Sequence, residues 1–473
     1  MIDSTRLIEM AGRLGGAVLV LAVLASPRIL QAQEVTYARD VAPILRENCE
    51  KCHQPGTTAP MTFQTYEQVR PWGPMIKEQV EGRLMPPGWY IDRTVGIQEF
   101  KNDPSLSDEE IATIASWVDA GAPEGEEVTP LPPLDMRAGH EYWEAEELLG
   151  LGPPDVIIES PPYTVEANGQ DQWWMPDTPL PQITERRWIR AVETRPADEG
   201  SGYVFHHANT NLVREGDEDR GGGLSSAAVG KRLDLYPDDA GKLIMPGDVL
   251  RYRLHLFPIG ETVPDAKIQL GIWFYPEGEE PRFVTNDETG FQTGESRALG
   301  LPRYTDYLIP PNGRQLVRGL HVLDRNARVH SIRGHMHLRG GYQMMEAVYP
   351  GGECPEYASP ACAGGREIIN KIDWHHKWHT THIYEDWAQP LLPKGTVIIS
   401  TSLFDNTADN PSNPDPDQWV VYNRRSAGEM GHIRFGITWL EDDEFDELVG
   451  EREQLLRQRT IAQEGGADAA AGG

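Results

Sequence analysis

From about residue 155 to about residue 445 the chain is written in short runs of alternating apolar and polar residues, cut apart by clusters of Gly, Pro, Asn and Asp. Side chains on a strand alternate between faces, so such runs make half-buried strands of antiparallel sheets rather than the βαβ units of a parallel sheet. Residues 249–257, 266–275 and 433–440 are examples. Within the first, Leu250, Tyr252, Leu254 and Leu256 share one face, and Arg251, Arg253 and His255 the other. The 47 Gly and 38 Pro among 473 residues argue against a helical bundle. This β-region is too long for one ordinary sandwich, so two domains are expected, 155–310 and 311–445.

The preceding segment has helical signals. Val41, Ile44 and Leu45 follow Asp40, and Ser107-Asp108-Glu109-Glu110 forms a capping box ahead of Ile111, Ile114, Trp117 and Val118, with Gly121 as the stop. Residues 33–126 are therefore read as a small helical domain, 127–154 as a Pro-rich and acidic linker, and 446–473 as a C-terminal tail whose Gly/Ala-rich end is disordered. At the start, Arg6 and Arg13 precede an apolar run over 17–25 and the small-residue signal Leu30-Gln31-Ala32. Residues 1–32 thus read as a secretory signal peptide, with an uncleaved anchor as the alternative. The expectation is a periplasmic or secreted protein with no transmembrane helix after cleavage. The formal charge of −30 and the lack of any basic block disfavour nucleic-acid binding.

Four cysteines occur as two close pairs. Cys354 and Cys362 flank a Pro-containing turn and read as a structural disulfide in an oxidising compartment. Cys49-Glu50-Lys51-Cys52-His53 is a CxxCH motif, which supplies two thiols for thioether bonds to a haem and an adjacent imidazole for its iron. A zinc half-site would need a second CxxC, and a redox dithiol a thioredoxin-like βαβ context; neither is present. The segment resembles small class I cytochromes c. That resemblance implies a Met in a Pro-rich loop as sixth ligand, and Met85 in Arg83-Leu84-Met85-Pro86-Pro87-Gly88 fits, with Met61 as the rival.

Three places in the β-region concentrate histidines. His206 and His207 are adjacent, so both reach one ion only at a strand end or bend; His255 lies on the polar face of its strand; His335 and His337 are spaced to project from one side of a strand toward one metal. Taken singly, the first two are compatible with ordinary surface or structural histidines. A fourth cluster, His375, His376, His379 and His382, has no assignable role and reads as strand histidines facing solvent or a cleft.

In this order, and with a late Glu429-Met430, the residues resemble the copper type II, ascorbate-dependent monooxygenases, the family of peptidylglycine α-hydroxylating and dopamine β-monooxygenases. The resemblance covers roughly 155–445 and implies two β-sandwiches, each holding one copper across a solvent-filled cleft. It implies His206, His207 and His255 as ligands of an electron-storing copper, and His335, His337 and Met430 as the oxygen-binding, catalytic set. A thioether beside two imidazoles favours Cu(I), the state that captures dioxygen. His337-Leu338-Arg339-Gly340 and Asp405-Asn406 followed by Asn410-Pro411-Ser412-Asn413-Pro414-Asp415-Pro416 agree with that family. Arg333 matches its carboxylate-binding arginine, but an asparagine and a tyrosine after the Met are His432 and Arg434 here. These three are expected to face substrate, and peptide amidation is not implied.

The expected fold is therefore multidomain: a small all-α cytochrome c domain followed by two all-β antiparallel, jelly-roll-like sandwich domains. The expected cofactors are two copper ions and one covalent haem c. The expected function is hydroxylation of a C–H bond in a small organic substrate with O2, electrons entering from an external donor through the haem. The alternatives are a non-catalytic haem and copper electron carrier or copper-binding protein, and a sandwich that keeps only a surface-binding role.

Overall fold

A computed structural model describes residues 35–50, 52–53, 61–101, 103–126, 140–214, 223–228, 231–293, 307–359, 361–376, 379–423 and 425–471. The expected signal peptide lies outside the described residues, as does 127–139 of the expected linker. The chain forms two compact units, one of 1–54, 59–81 and 107–133, the other of 55–58, 82–106 and 134–473. Among the described residues no helix is long and apolar enough to cross a membrane.

The smaller unit is helical. A wide turn, Tyr37–Val41, runs into the helix Ala42–Asn48, followed by Tyr66–Val69, Arg70–Trp72, Gly73–Glu81 and Asp108–Asp119. Apolar residues at helical spacing put Leu45, Val69, Val80, Ile114 and Trp117 in its core, each at most 2% exposed. The expected capping box is present: Ser107 Oγ accepts from the Glu110 N–H at 3.2 Å, and the Glu110 carboxylate accepts from the Ser107 N–H at 2.8 Å. The helix ends just before Gly121, whose φ of +87° suits a residue without Cβ.

The larger unit is built of two β-sandwiches. In the first, the sheet Phe283–Val284, Ala240–Ile244, Arg187–Pro196, Ile268–Phe274, Val156–Glu159 packs on the sheet Gln172–Trp174, Val249–Leu256, Phe205–Val213, Gly223–Ala228. The alternation read from 249–257 holds, with Leu250, Tyr252 and Leu254 at most 2% exposed; each buried side chain of this size contributes about 1.5–3 kcal/mol. In the second, the sheet Ile91–Gly96, Arg366–Asp373, Gly340–Val348, Val397–Asp405, Arg314–Val322 packs on the sheet Asn286–Gln292, His432–Leu440, Asn326–His335, His382–Ile383. The Cys354–Cys362 disulfide forms as expected.

Three boundaries differ from the expected ones. Residues 82–106 do not belong to the helical unit: Ile91–Gly96 is an edge strand on Arg366–Asp373, and Ile91, Ile97 and Phe100 sit in the core of the second sandwich. The change of sandwich falls between Val284 and Asn286 rather than near 310, because Asn286–Gln292 pairs with His432–Leu440. The linker and tail also carry structure. Trp143 packs edge-on to Trp273, and the helix Asp442–Ala471 docks through Phe445 and Leu448 on Phe283, Leu391 and Leu440.

Candidate metal centre

Adjacent histidines on a regular strand face opposite ways, and a bulge resolves the conflict at His206. His255 pairs with His207 and Leu256 with Phe205, leaving His206 as the extra residue just after the helix Glu199–Val204. Both imidazoles thereby turn toward His255. The ligand atoms of His206, His207 and His255 all lie within 4.8 Å of one another. His255 Nδ1 is 3.1 Å from His207 Nε2 and 3.4 Å from His206 Nδ1. Three nitrogens each about 2.0 Å from one ion in tetrahedral geometry are roughly 3.3 Å apart, so the two edges at His255 already have the spacing of a ligand set.

The remaining nitrogen of His255 meets Asp171: Nε2 to Oδ2 is 2.7 Å. A carboxylate on the far nitrogen fixes the tautomer and leaves Nδ1 its lone pair for an ion. Trp173 stacks on the His255 ring at 4.5 Å and 10°, and Phe257 closes the other side at 4.9 Å. Burial holds His206 at about 4, and pushes His207 well below and His255 below the ordinary imidazole range. All three are neutral near pH 7, the protonation state a metal requires. Asp171→Ala is expected to weaken metal binding at the trio by about 10–100-fold in a chelator-competition titration; an unchanged affinity would reduce Asp171 to a bystander.

The second set grows from the end of the strand Asn326–His335. Alternation sends Met336 into the core at 0% exposure and His335 and His337 to the opposite side, their ring centroids 5.5 Å apart. His335 pairs with His432, and their rings stack at 4.5 Å. Met430 stands two residues before His432, in a segment held from both sides. On one side the buried Glu429 carboxylate accepts from the backbone N–H of His337 at 3.0 Å and of Arg339 at 2.6 Å. On the other, the Gly431 carbonyl accepts from the Thr293 N–H at 3.0 Å and from Tyr307 Oη at 3.2 Å. A Cβ on Gly431 would lie 2.6 Å from Thr293 Oγ1 and 2.7 Å from Ser402 Oγ, so the close approach needs glycine.

The residues singled out around this element form one network. Arg339 Nε donates to Asn406 Oδ1 at 2.7 Å and its Nη1 to the Ala427 carbonyl at 3.0 Å; Asn413 Nδ2 donates to Asn406 Oδ1 at 3.1 Å. His337 Nδ1 lies 3.1 Å from the Gly428 carbonyl, which turns its Nε2 away from the backbone. Burial pushes His337 down to about 4 and His335 and His432 well below the ordinary range.

The fourth histidine cluster is divided. His375 is exposed and His376 half-buried, whereas His379 and His382 are buried, so of the two expected settings, solvent or a cleft, these last two are not in solvent. His382 packs edge-on to Trp89. His379 lies between the two histidine groups, its ring 6.2 Å from His206 and 5.3 Å from His335. Farther along the same strands a cavity of about 160 Å³ is lined by Asn209, Arg253, Ser331, Thr381 and Arg434. Asp234 also lines the cavity, and Arg333 is directly opposite Arg434 in the ladder.

In the helical unit, the chain turns after Ala42–Asn48 with the Cys52 and His53 N–H groups on the Cys49 carbonyl at 3.1 and 2.9 Å. His53 Nδ1 is 3.2 Å from the Met61 carbonyl and its ring stacks on Phe63 at 4.3 Å, leaving Nε2 as the ligand atom. Burial pushes the Cys49 thiol up to about 12, unlike the activated thiol of a redox dithiol. The donor set fits a covalent haem. Met85 is 39% exposed on the segment that belongs to the larger unit; Met61 shares the unit of His53.

Sequence reasoning missed Asp171 and the place of His379. Asp171 stands next to the strand Gln172–Trp174, which pairs with His255, and no local spacing announces that register. No family model matches the chain, and no curated protein matches it. Among solved structures, N-glycanase F (PNGase F) matches with 10% identity and a TM-score of 0.25, over 60% of this chain and 100% of that one. The infectious bursal disease virus Gx strain matches with 8% identity and a TM-score of 0.15, over 68% and 98%. A fucolectin from Morone saxatilis (striped bass) serum matches with 10% identity and a TM-score of 0.11, over 53% and 85%. At these scores none of them informs the function.

Proposed function

We propose that the chain is a periplasmic or secreted copper-dependent monooxygenase that hydroxylates a C–H bond of a small organic acid, with electrons entering through a c-type haem on the helical unit. The observation that carries the reading is the convergence of His206, His207 and His255 within 4.8 Å, with Asp171 on the far nitrogen of His255. Bound copper would supply one-electron redox chemistry and dioxygen activation, and the haem an entry for electrons from an external donor. The overall reaction converts R–H, O2, two electrons and two protons to R–OH and water.

The protein's own groups have separable tasks in this reading. His206, His207 and His255, flanked by Trp173 and Phe257, would hold an ion. His335, His337 and Met430 present two imidazoles and a thioether, and Glu429 and Gly431 keep the thioether segment in register with the His335 strand. Arg434 and Arg253 line the cavity, with Arg333 opposite Arg434 on its ladder, and in this reading the arginines attract a carboxylate of the substrate. The close spacing from His206 through His379 to His335 also suits an electron carrier without substrate, the second reading.

Oxygen consumption by the copper-loaded, haem-reduced chain, measured against a panel of small acids and neutral analogues, tests the proposal. A hydroxylated product in proportion to oxygen consumed is expected for an acid, and Met430→Ala is expected to lower the rate by about 100-fold. Parent-like turnover by Met430→Ala would remove Met430 from the site. Oxygen uptake with no organic product across the panel would favour the electron carrier.

A further inference from the structure

We infer that Trp173 is a positioning residue of the trio site: by stacking on His255 it fixes the plane of that ring, and by covering it against solvent it raises the reduction potential of a copper held there. The inference rests on the His206, His207 and His255 set of the proposed function and adds to it a residue that is not a ligand.

The strand that carries Trp173 has two faces with separate tasks. Alternation puts Gln172 and Trp174 on one side, and Asp171 and Trp173 on the other. Gln172 and Trp174 tie the strand to the first sandwich: Gln172 Oε1 accepts from Tyr163 Oη at 2.5 Å, and Trp174 packs on Tyr163 at 5.0 Å and against the core. Asp171 and Trp173 both meet His255. The carboxylate takes the ring edge at Nε2, and the indole takes the ring face, 4.5 Å away and within 10° of parallel. The edge contact sets which nitrogen is left for the ion, whereas the contact on the face resists rotation of the ring about its bond to Cβ. Trp173 lies directly opposite His255 in the ladder and edge-on to His207 at 5.0 Å, so one indole borders two of the three imidazoles.

Exposure separates this indole from one that serves the core. Trp173 is 47% exposed, while His255 under it is 5% exposed. The strand Gln172–Trp174 is the edge of its sheet, with no strand beyond it among the described residues, so the indole is the cover of the imidazole on that side. On the other flank Phe257 stands 4.9 Å from both His206 and His255. An apolar shell that keeps water from a copper site disfavours the more highly charged Cu(II), so stripping the cover lowers the potential.

Copper(II) titration and a redox titration, both followed by electron paramagnetic resonance, test the inference on the full chain, on Trp173→Ala and on Trp173→Phe; the trio signal is the one that His255→Ala lacks. Trp173→Ala should fold as the parent does, because Gln172 and Trp174 still hold the strand. It should bind the trio copper about tenfold more weakly, with an altered spectrum and a lower potential. Trp173→Phe keeps an aromatic face on His255 and should restore most of the affinity and the parent's spectrum. Parent-like affinity, spectrum and potential in Trp173→Ala, or a Trp173→Phe chain as impaired as Trp173→Ala, would overturn the role of Trp173 and leave the trio site standing. A parent chain without a His255-dependent copper signal would overturn the trio site of the proposed function, and this inference with it.

Discussion

Glu429→Ala is expected to lower the stability of the larger unit by about 3 kcal/mol and to abolish metal binding at the HxH element. The Glu429 side chain is 0% exposed, and its two oxygens take the N–H groups of His337 and Arg339 at 3.0 and 2.6 Å. Burial pushes the carboxyl up to about 8, and those two N–H groups, the Arg339 charge and the Met430 N–H oppose that rise. Removing it leaves at least two buried donors without an acceptor, each at about 1–3 kcal/mol. It also frees the His337 backbone from the segment that carries Met430. Urea unfolding followed by tryptophan fluorescence checks the stability effect: the midpoint should fall with little change in slope. Glu429→Gln retains one acceptor oxygen and should recover part of the loss. A midpoint equal to that of the parent in Glu429→Ala would show that the carboxylate is not what holds the two segments together.

The second large effect is expected at His255. This residue touches both other members of the trio and carries the Asp171 contact, so His255→Ala removes one ligand and deprives the other two of their meeting point. The first copper should be lost, while the HxH ion, on a different sandwich, is retained. The fold should survive, because His255 lies on the face of its strand opposite Leu254 and Leu256, which fill the core.

Much of this architecture was legible because strand alternation and helix capping are local. The face carrying Leu250, Tyr252 and Leu254, the Ser107–Glu110 box and the Cys354–Cys362 loop each follow from spacing within a dozen residues. The sandwich nature of the β-region follows from the same periodicity. Three features depended on long-range register instead. The edge strand Ile91–Gly96 finds its partner some 270 residues later, on Arg366–Asp373. The bulge at His206 exists only because Leu256 pairs with Phe205. Asp171 reaches His255 only because Gln172–Trp174 lies against Val249–Leu256. Single positions carry no trace of such pairings, and the C-terminal helix was missed for a related reason. Its acidic first turn reads as a solvated tail, and within the first turns Phe445, Leu448 and Val449 mark the face that docks.

The central claim is that two histidine groups hold separate coppers while the helical unit holds a covalent haem. Copper and iron content per chain, determined on the purified full-length protein and on His255→Ala, tests it most directly. The parent should carry one copper at each histidine group and one iron that remains bound after denaturation, and His255→Ala should lose one copper and keep the other metals. A parent chain that takes up no copper, or a His255→Ala chain whose copper content equals that of the parent, would contradict it.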